Sequence, residues 1–208
     1  MQINAHKPRT HTVAWTGASG LAYGLRLVEC LLQAGDTVYL LYSPVTQIVA
    51  QQEMHFKLPA RTAEAQSFLA ERWGVSDPQL QVFGKDEWFA PVASGSNPAD
   101  TMTICPCTMG TLAAIAHGMS DNLIERAADV MLKERRPLVL VPRETPFSSI
   151  HLHNMLQLSQ AGACILPPNP GFYHHPRSVE DLIDFVVARI LDQLQVPHTL
   201  MLRWGDGE

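Results

Sequence analysis

The stretch Thr12-Val13-Ala14-Trp15-Thr16-Gly17-Ala18-Ser19-Gly20-Leu21-Ala22-Tyr23-Gly24-Leu25 decides the fold class of this chain. Thr12 to Trp15 reads as a buried strand. From about Tyr23 the spacing predicts a helix, with Leu25, Val28, Leu31 and Leu32 on one face. Between them lie the small residues Thr16 to Gly20. A strand, a tight turn and a helix start together make a place to hold an anion. Gly17 and Gly20 permit positive φ and close backbone approach, Ala18 and Ser19 leave room, and the helix offers unpaired N–H groups and a positive dipole end. The same residues would also close a plain βα turn. The loop lacks the third glycine of G-x-G-x-x-G and the lysine of a Walker A loop, which favours something other than ordinary NAD or ATP binding.

Further short apolar runs follow at Thr37 to Tyr42, Gln79 to Phe83, Met102 to Cys105, Pro137 to Val141 and Ala163 to Leu166. Helical faces lie between several of them. Leu112, Ala113 and Ile115 start one, and Leu182, Phe185, Val186, Ile190 and Leu194 make another. This alternation implies an α/β protein with a parallel sheet covered on both sides and ligands at the carboxyl ends of its strands. Phe89 to Asp100 reads as a loop. The chain of 208 residues, 46% hydrophobic, suits one domain, with Met1 to Thr10 as a loose leader. A net charge of -5 argues against a general grip on nucleic acid. No apolar run approaches the length of a membrane span, and four cysteines without secreted character point to the cytoplasm.

A second loop, Cys105-Pro106-Cys107-Thr108-Met109-Gly110-Thr111, again runs from a strand into a small-residue helix and offers hydroxyls and amides to an anion. Cys105 and Cys107, without a second pair at ligand spacing, read as buried packing residues rather than a metal site, as do Cys30 and Cys164. Asp121 to Arg136 mixes helix formers with charges of both signs. Arg126 and Lys133, seven apart, share a face and offer cations to one phosphate, though most such charges form a solvated face. Arg143 and Glu144 follow a strand end, where they are either a surface ion pair or a phosphate fork beside a movable proton. Pro167 to Pro176, which contains Tyr173, His174 and His175, is too rigid and aromatic for a spacer.

With these residues the chain resembles the UbiX family of flavin prenyltransferases from Thr12 to Trp204. The resemblance is carried by T-G-A-S-G with Tyr23-Gly24-Leu25-Arg26-Leu27, by Asn122 to Val130, by Lys133-Glu134-Arg135-Arg136, by Pro142-Arg143-Glu144-Thr145-Pro146 and by Pro170-Gly171-Phe172-Tyr173. It implies a Rossmann-like three-layer sandwich, a single flavoprotein domain over 1–208 whose C-terminal tail, 195–208, reaches the active site. It further implies a metal-independent enzyme that joins a dimethylallyl unit to N5 and C6 of reduced FMN. The product, prenylated FMN, would serve UbiD-type decarboxylases, as in ubiquinone biosynthesis. The family's usual assembly is a homododecamer.

By the same resemblance FMN would contact Gly17, Ala18, Ser19, Ser43, Thr108, Met109, Gly110, Thr111 and Arg143. Dimethylallyl monophosphate would meet Lys133, Arg143, Glu144, Tyr173 and Arg189, with Arg126 arriving from a neighbouring subunit. Glu144 would move a proton at the phosphate, Ser19 and Glu53 near N5, and Trp204 would shield cationic character, with Trp88 a weaker candidate for that wall. Met109 stands where Ser or Thr is usual, and Pro44 replaces an expected Lys. Two other readings stay open: a flavin-carrying accessory subunit without turnover, and a flavin-dependent decarboxylase of cysteine peptides.

Overall fold

The computed structural model describes residues 7–201. Strands Thr10–Trp15 (β1), Thr37–Tyr42 (β2), Leu80–Phe83 (β3), Thr101–Cys107 (β4), Leu138–Pro142 (β5) and Cys164–Ile165 (β6) form one sheet in the order β3-β2-β1-β4-β5-β6. Every neighbouring pair is parallel. The chain builds outward from β1 to β3, then returns to the other side of β1 to place β4. The strand order thus switches direction between β1 and β4, where such sheets open a crevice at their carboxyl edge.

The helices are Leu21–Gln33 (α1), Pro44–Met54 (α2), Thr62–Trp73 (α3), Met109–Ala116 (α4), Leu123–Lys133 (α5), Ser149–Gln160 (α6) and Val179–Leu194 (α7). Successive strand residues face opposite sides, so each strand feeds two cores. Val13, Trp15, Leu40 and Val139 pack with α1 and α7, whereas Ala14, Leu41, Ile104 and Leu140 pack with α4, α5 and α6. The result is the expected three-layer, Rossmann-like α/β arrangement.

The expected strands all occur, with small shifts of boundary. Thr10, expected in a loose leader, belongs to β1, and the Arg9 backbone N–H donates to Asp36 Oδ1 at 2.9 Å while its guanidinium donates to the Leu194 carbonyl. Beside them His11 is buried, with Nδ1 2.7 Å from Thr101 Oγ1 and Nε2 3.1 Å from Asp36 Oδ2. These bonds pin β1 between the starts of β2 and β4 at the amino edge. Asn122 begins α5 by accepting hydrogen bonds from the N–H groups of Ile124 and Glu125. Phe89 to Asp100 is irregular except for a 3-10 turn at Pro91–Ala93. No helix among the described residues is long and apolar enough to cross a membrane.

Candidate active site

Three helices begin at the carboxyl ends of adjacent strands: α1 after Gly20, α2 after Ser43 and α4 after Thr108. Their positive dipole ends converge on the crevice beside β1 and β4. Neither Gly20 nor Ser43 caps its helix with a side chain; Tyr23 and Thr46 N–H bond back to the Gly20 and Ser43 carbonyls, and the N–H groups of Leu21 and Ala22 in α1 and of Val45 in α2 remain open to an anion. At α4 the Thr108 hydroxyl accepts from Thr111 N–H at 3.1 Å and donates to the Thr111 hydroxyl at 2.9 Å.

The two small-residue loops are stitched together by Thr16. Its backbone N–H and its hydroxyl both donate to the Pro106 carbonyl, at 3.2 and 2.8 Å, and its hydroxyl oxygen accepts from Thr108 N–H at 2.8 Å. The pairing of β4 with β5 shifts register between Ile104 and Cys107. This irregularity turns Cys107 into the core opposite that of Cys105 and leaves the Pro106 carbonyl to Thr16. Both thiols are buried. Burial pushes Cys105 well above the ordinary thiol range and Cys107 up to about 12, so both stay protonated packing residues near neutral pH.

The third loop is tied in as firmly. Ser43 N–H donates to the Trp15 carbonyl at 2.9 Å, the Thr46 hydroxyl donates to the same oxygen at 2.8 Å, and the hydroxyls of Ser43 and Thr46 lie 3.1 Å apart. Only Gly17 fits beneath this helix start, because a Cβ there would stand 2.4 Å from Val45 Cγ1. Gly20 takes a φ of 100°, the left-handed region where glycine is favoured, and its N–H donates to Glu53 Oε2 at 2.9 Å. Glu53, near the end of α2, is thereby held against the loop that carries Ser19. Arg143 follows β5 and reaches back to the second loop, its N–H donating to the Cys107 carbonyl at 3.3 Å. The next carboxylate, Glu144, accepts from Thr145 N–H at 3.0 Å.

The structure therefore brings Gly17, Ala18, Ser19, Ser43, Glu53, Thr108 to Thr111, Arg143 and Glu144 to one edge. Met109 and Pro44 find structural explanations there. Met109 is the first residue of α4 and is buried in the core beneath it, and Pro44 is the first residue of α2, where its missing N–H costs no hydrogen bond. Gly110 presents open space, with nothing within 4 Å of where a Cβ would stand.

The remaining expected residues lie elsewhere in the chain. Tyr173 packs edge-on against Phe185 of α7 at 5.7 Å, and Arg189 follows one turn later, donating to Asp192 Oδ2 at 2.5 Å. Arg126 lies in the first turn of α5, donating to the Ala93 carbonyl at 3.0 Å and pairing with Asp129 at 2.8 Å. Lys133 ends α5, pairs with Glu134, and stands toward the amino edge because β5 begins just beyond it. Two helical turns separate Arg126 from Lys133, about 10 Å of rise. Trp88 is half-exposed beyond β3. Trp204 and the end of the tail lie outside the described residues. Thr16 carries no functional signal in the sequence, since a threonine beside a glycine shows no sign of a partner some ninety residues away.

A parallel sheet with three helix starts converging at its switch point, small-residue loops and an arginine defines an α/β protein built to hold a phosphate-bearing ligand. The family model described as Flavoprotein matches residues 3–191. Flavin prenyltransferase UbiX of Pseudomonas aeruginosa is 58% identical over 199 residues, covering 96% of this chain and 95% of the relative. A UbiX crystal structure in complex with FMN and dimethylallyl pyrophosphate superposes with a TM-score of 0.86 at 41% identity, covering 97% of this chain and all of the other. A dodecameric FMN-dependent UbiX-like decarboxylase from Escherichia coli O157:H7 has a TM-score of 0.81 at 39% identity, with 94% and 98% covered. The chain belongs to the flavoprotein family and, within it, to the UbiX flavin prenyltransferases.

Proposed function

We propose that this chain transfers a dimethylallyl unit from a phosphate ester to N5 and C6 of reduced FMN, through the residues named above. The observation that carries the reading is the convergence of the α1, α2 and α4 starts on loops stitched together by Thr16. These loops fit a flavin phosphate: open N–H groups face the crevice, Gly110 leaves space there, and Gly17 lets the first loop pack against Val45 at the start of α2. Reduced flavin would supply from N5 the electron pair that the allylic carbon accepts as its bond to the phosphate oxygen breaks, and C6 would then bond to the prenyl double bond, which takes up one proton as C6 loses one.

The chain's own residues bind, orient and neutralise. Arg143 stands at the crevice as a planar fork for a phosphate, and Glu144 beside it holds or moves a proton on the departing group. Glu53, bonded to Gly20 N–H, sits where it can relay a proton toward the loop bearing Ser19. Tyr173 completes the clamp, with Arg126, Lys133 and Arg189 supplied by neighbouring subunits, because one subunit spreads these cations between opposite edges of its sheet. Positive charge at the leaving phosphate is what accelerates an otherwise slow departure.

A shared site requires an assembly, and the exposed Leu152 and Leu156, one turn apart on α6, supply an apolar patch for a second copy. A dodecamer like that of the E. coli neighbour is the expected form. The prenylated product is destined for a UbiD-type decarboxylase, and free cysteines at positions 30, 105, 107 and 164 suit the reducing cytoplasm. Anaerobic incubation with reduced FMN and dimethylallyl monophosphate should give a flavin heavier by one prenyl unit on mass spectrometry. Unaltered flavin recovered from folded, FMN-loaded protein would overturn the reading.

A further inference from the structure

An isolated arginine and aspartate three residues apart on an exposed helix face are worth little, because two flexible side chains in water gain no more than they lose on ordering. The Arg189–Asp192 pair on α7 has a third member that changes this. Asp192 Oδ1 lies 3.2 Å from His198 Nε2, while its other oxygen accepts from Arg189 Nη1. The three are graded in exposure: the Arg189 side chain is 50% exposed, Asp192 28% and His198 only 7%.

His198 belongs to the segment that turns back after α7. The bend is held by the N–H groups of Gln195 and Val196, which donate to the carbonyls of Asp192 and Leu191. Buried Val196 and the partly buried Leu200 and Met201 then pack the segment onto the core under α1 and α7. The imidazole is thus fixed by the fold. A carboxylate can only accept, so Nε2 carries the proton in this bond. The bond aims Asp192, whose second oxygen holds one guanidinium nitrogen and leaves the others without a partner among the described residues, open to an anion.

We infer that His198 is a positioning residue, which through Asp192 fixes the Arg189 guanidinium for the prenyl phosphate and couples the C-terminal segment to the clamp. The inference rests on the proposed role of Arg189 as a ligand of that phosphate.

The test uses the intact assembly with reduced FMN and varied dimethylallyl monophosphate. His198→Phe should raise KM for the prenyl phosphate between about 3- and 10-fold, the range one net hydrogen bond supplies, with kcat and FMN affinity nearly unchanged. His198→Gln, which keeps an N–H donor, should restore most of the loss. Asp192→Asn should give the same KM rise, and it covers the case in which the phenylalanine variant fails to fold. Unchanged KM in the His198 and Asp192 variants, beside a raised KM in Arg189→Ala, would overturn this inference alone. Unchanged KM in Arg189→Ala, with prenylated flavin still formed, would overturn it together with the assignment of Arg189. A fall in kcat, FMN affinity and thermal stability together, without rescue by glutamine, would show a structural role and also overturn it.

Discussion

At the residue scale the site depends on groups whose chemistry is held back and groups whose chemistry is exposed. Cys105 and Cys107 are of the first kind. Burial raises both thiols, Cys105 further through its neighbour Cys107, and Cys107 moves from an ordinary 9.0 to about 12. A group whose folded pKa is raised stabilises the fold fully below its unfolded pKa and loses that contribution as pH rises. Stability should therefore fall across the window from about pH 9 to 12, as urea unfolding at stepped pH would record. Iodoacetamide should label neither cysteine at neutral pH until urea is added. Glu144 is of the second kind. Glu144→Gln keeps its shape but removes its proton, so prenyl transfer should slow by between about 100- and 10000-fold while FMN stays bound; unchanged single-turnover rates would remove its role. Thr16 shows what sequence alone hides. The glycines, Ser19 and Arg143 stand beside strand ends and attract notice as residue types, whereas a threonine's hydroxyl bridging two loops emerges only from the fold. Thr16→Val removes that bridge and leaves Thr108 N–H without its partner. FMN binding should weaken by about 10-fold, measured by fluorescence titration of the flavin.

At the element scale, what was legible followed the apolar content of each buried face. All six strands and the helices α1, α4, α5 and α7 announced themselves through leucine, isoleucine and valine spacing or through helix-forming charged runs. Helices α2, α3 and α6 did not. Their buried positions are Thr46 and Ala50, Ala65 and Leu69, and Asn154, Met155 and Leu158, faces too small or too polar to stand out. Helix α6 further obscures its own period by exposing Ile150, Leu152 and Leu156. Starts of helices are better specified than their faces. Asn122 opens the motif that runs to Val130 because it satisfies two N–H groups of α5. Asn122→Ala should cost about 1 kcal/mol of unfolding free energy in urea, and Asn122→Ser much less.

At the scale of the whole molecule, the cations of the proposed clamp are spread across the fold. Arg143 lies at the carboxyl edge, Lys133 at the far end of α5, and Arg126 beneath the Pro91–Ala93 turn. If Arg126 serves a neighbour's site, an Arg126→Ala subunit and a Glu144→Gln subunit are each inactive for a different reason. Reassembled together, they should recover part of the wild-type rate; a mixture no better than either parent would show that each subunit works alone. The sequence named these cations but could not say which subunit each serves, since that depends on helix direction and assembly rather than on local pattern. The central position of β1 has one more consequence. It precedes the other strands of this sheet in the chain, yet its second neighbour, β4, pairs His11 with Thr101, ninety residues later. Until that later segment emerges, the Thr16 loop has no Pro106 carbonyl to bind and the helix starts have no common crevice. A nascent chain stalled before Thr101 should hold no flavin, so the ligand can stabilise the finished architecture but cannot template its early assembly.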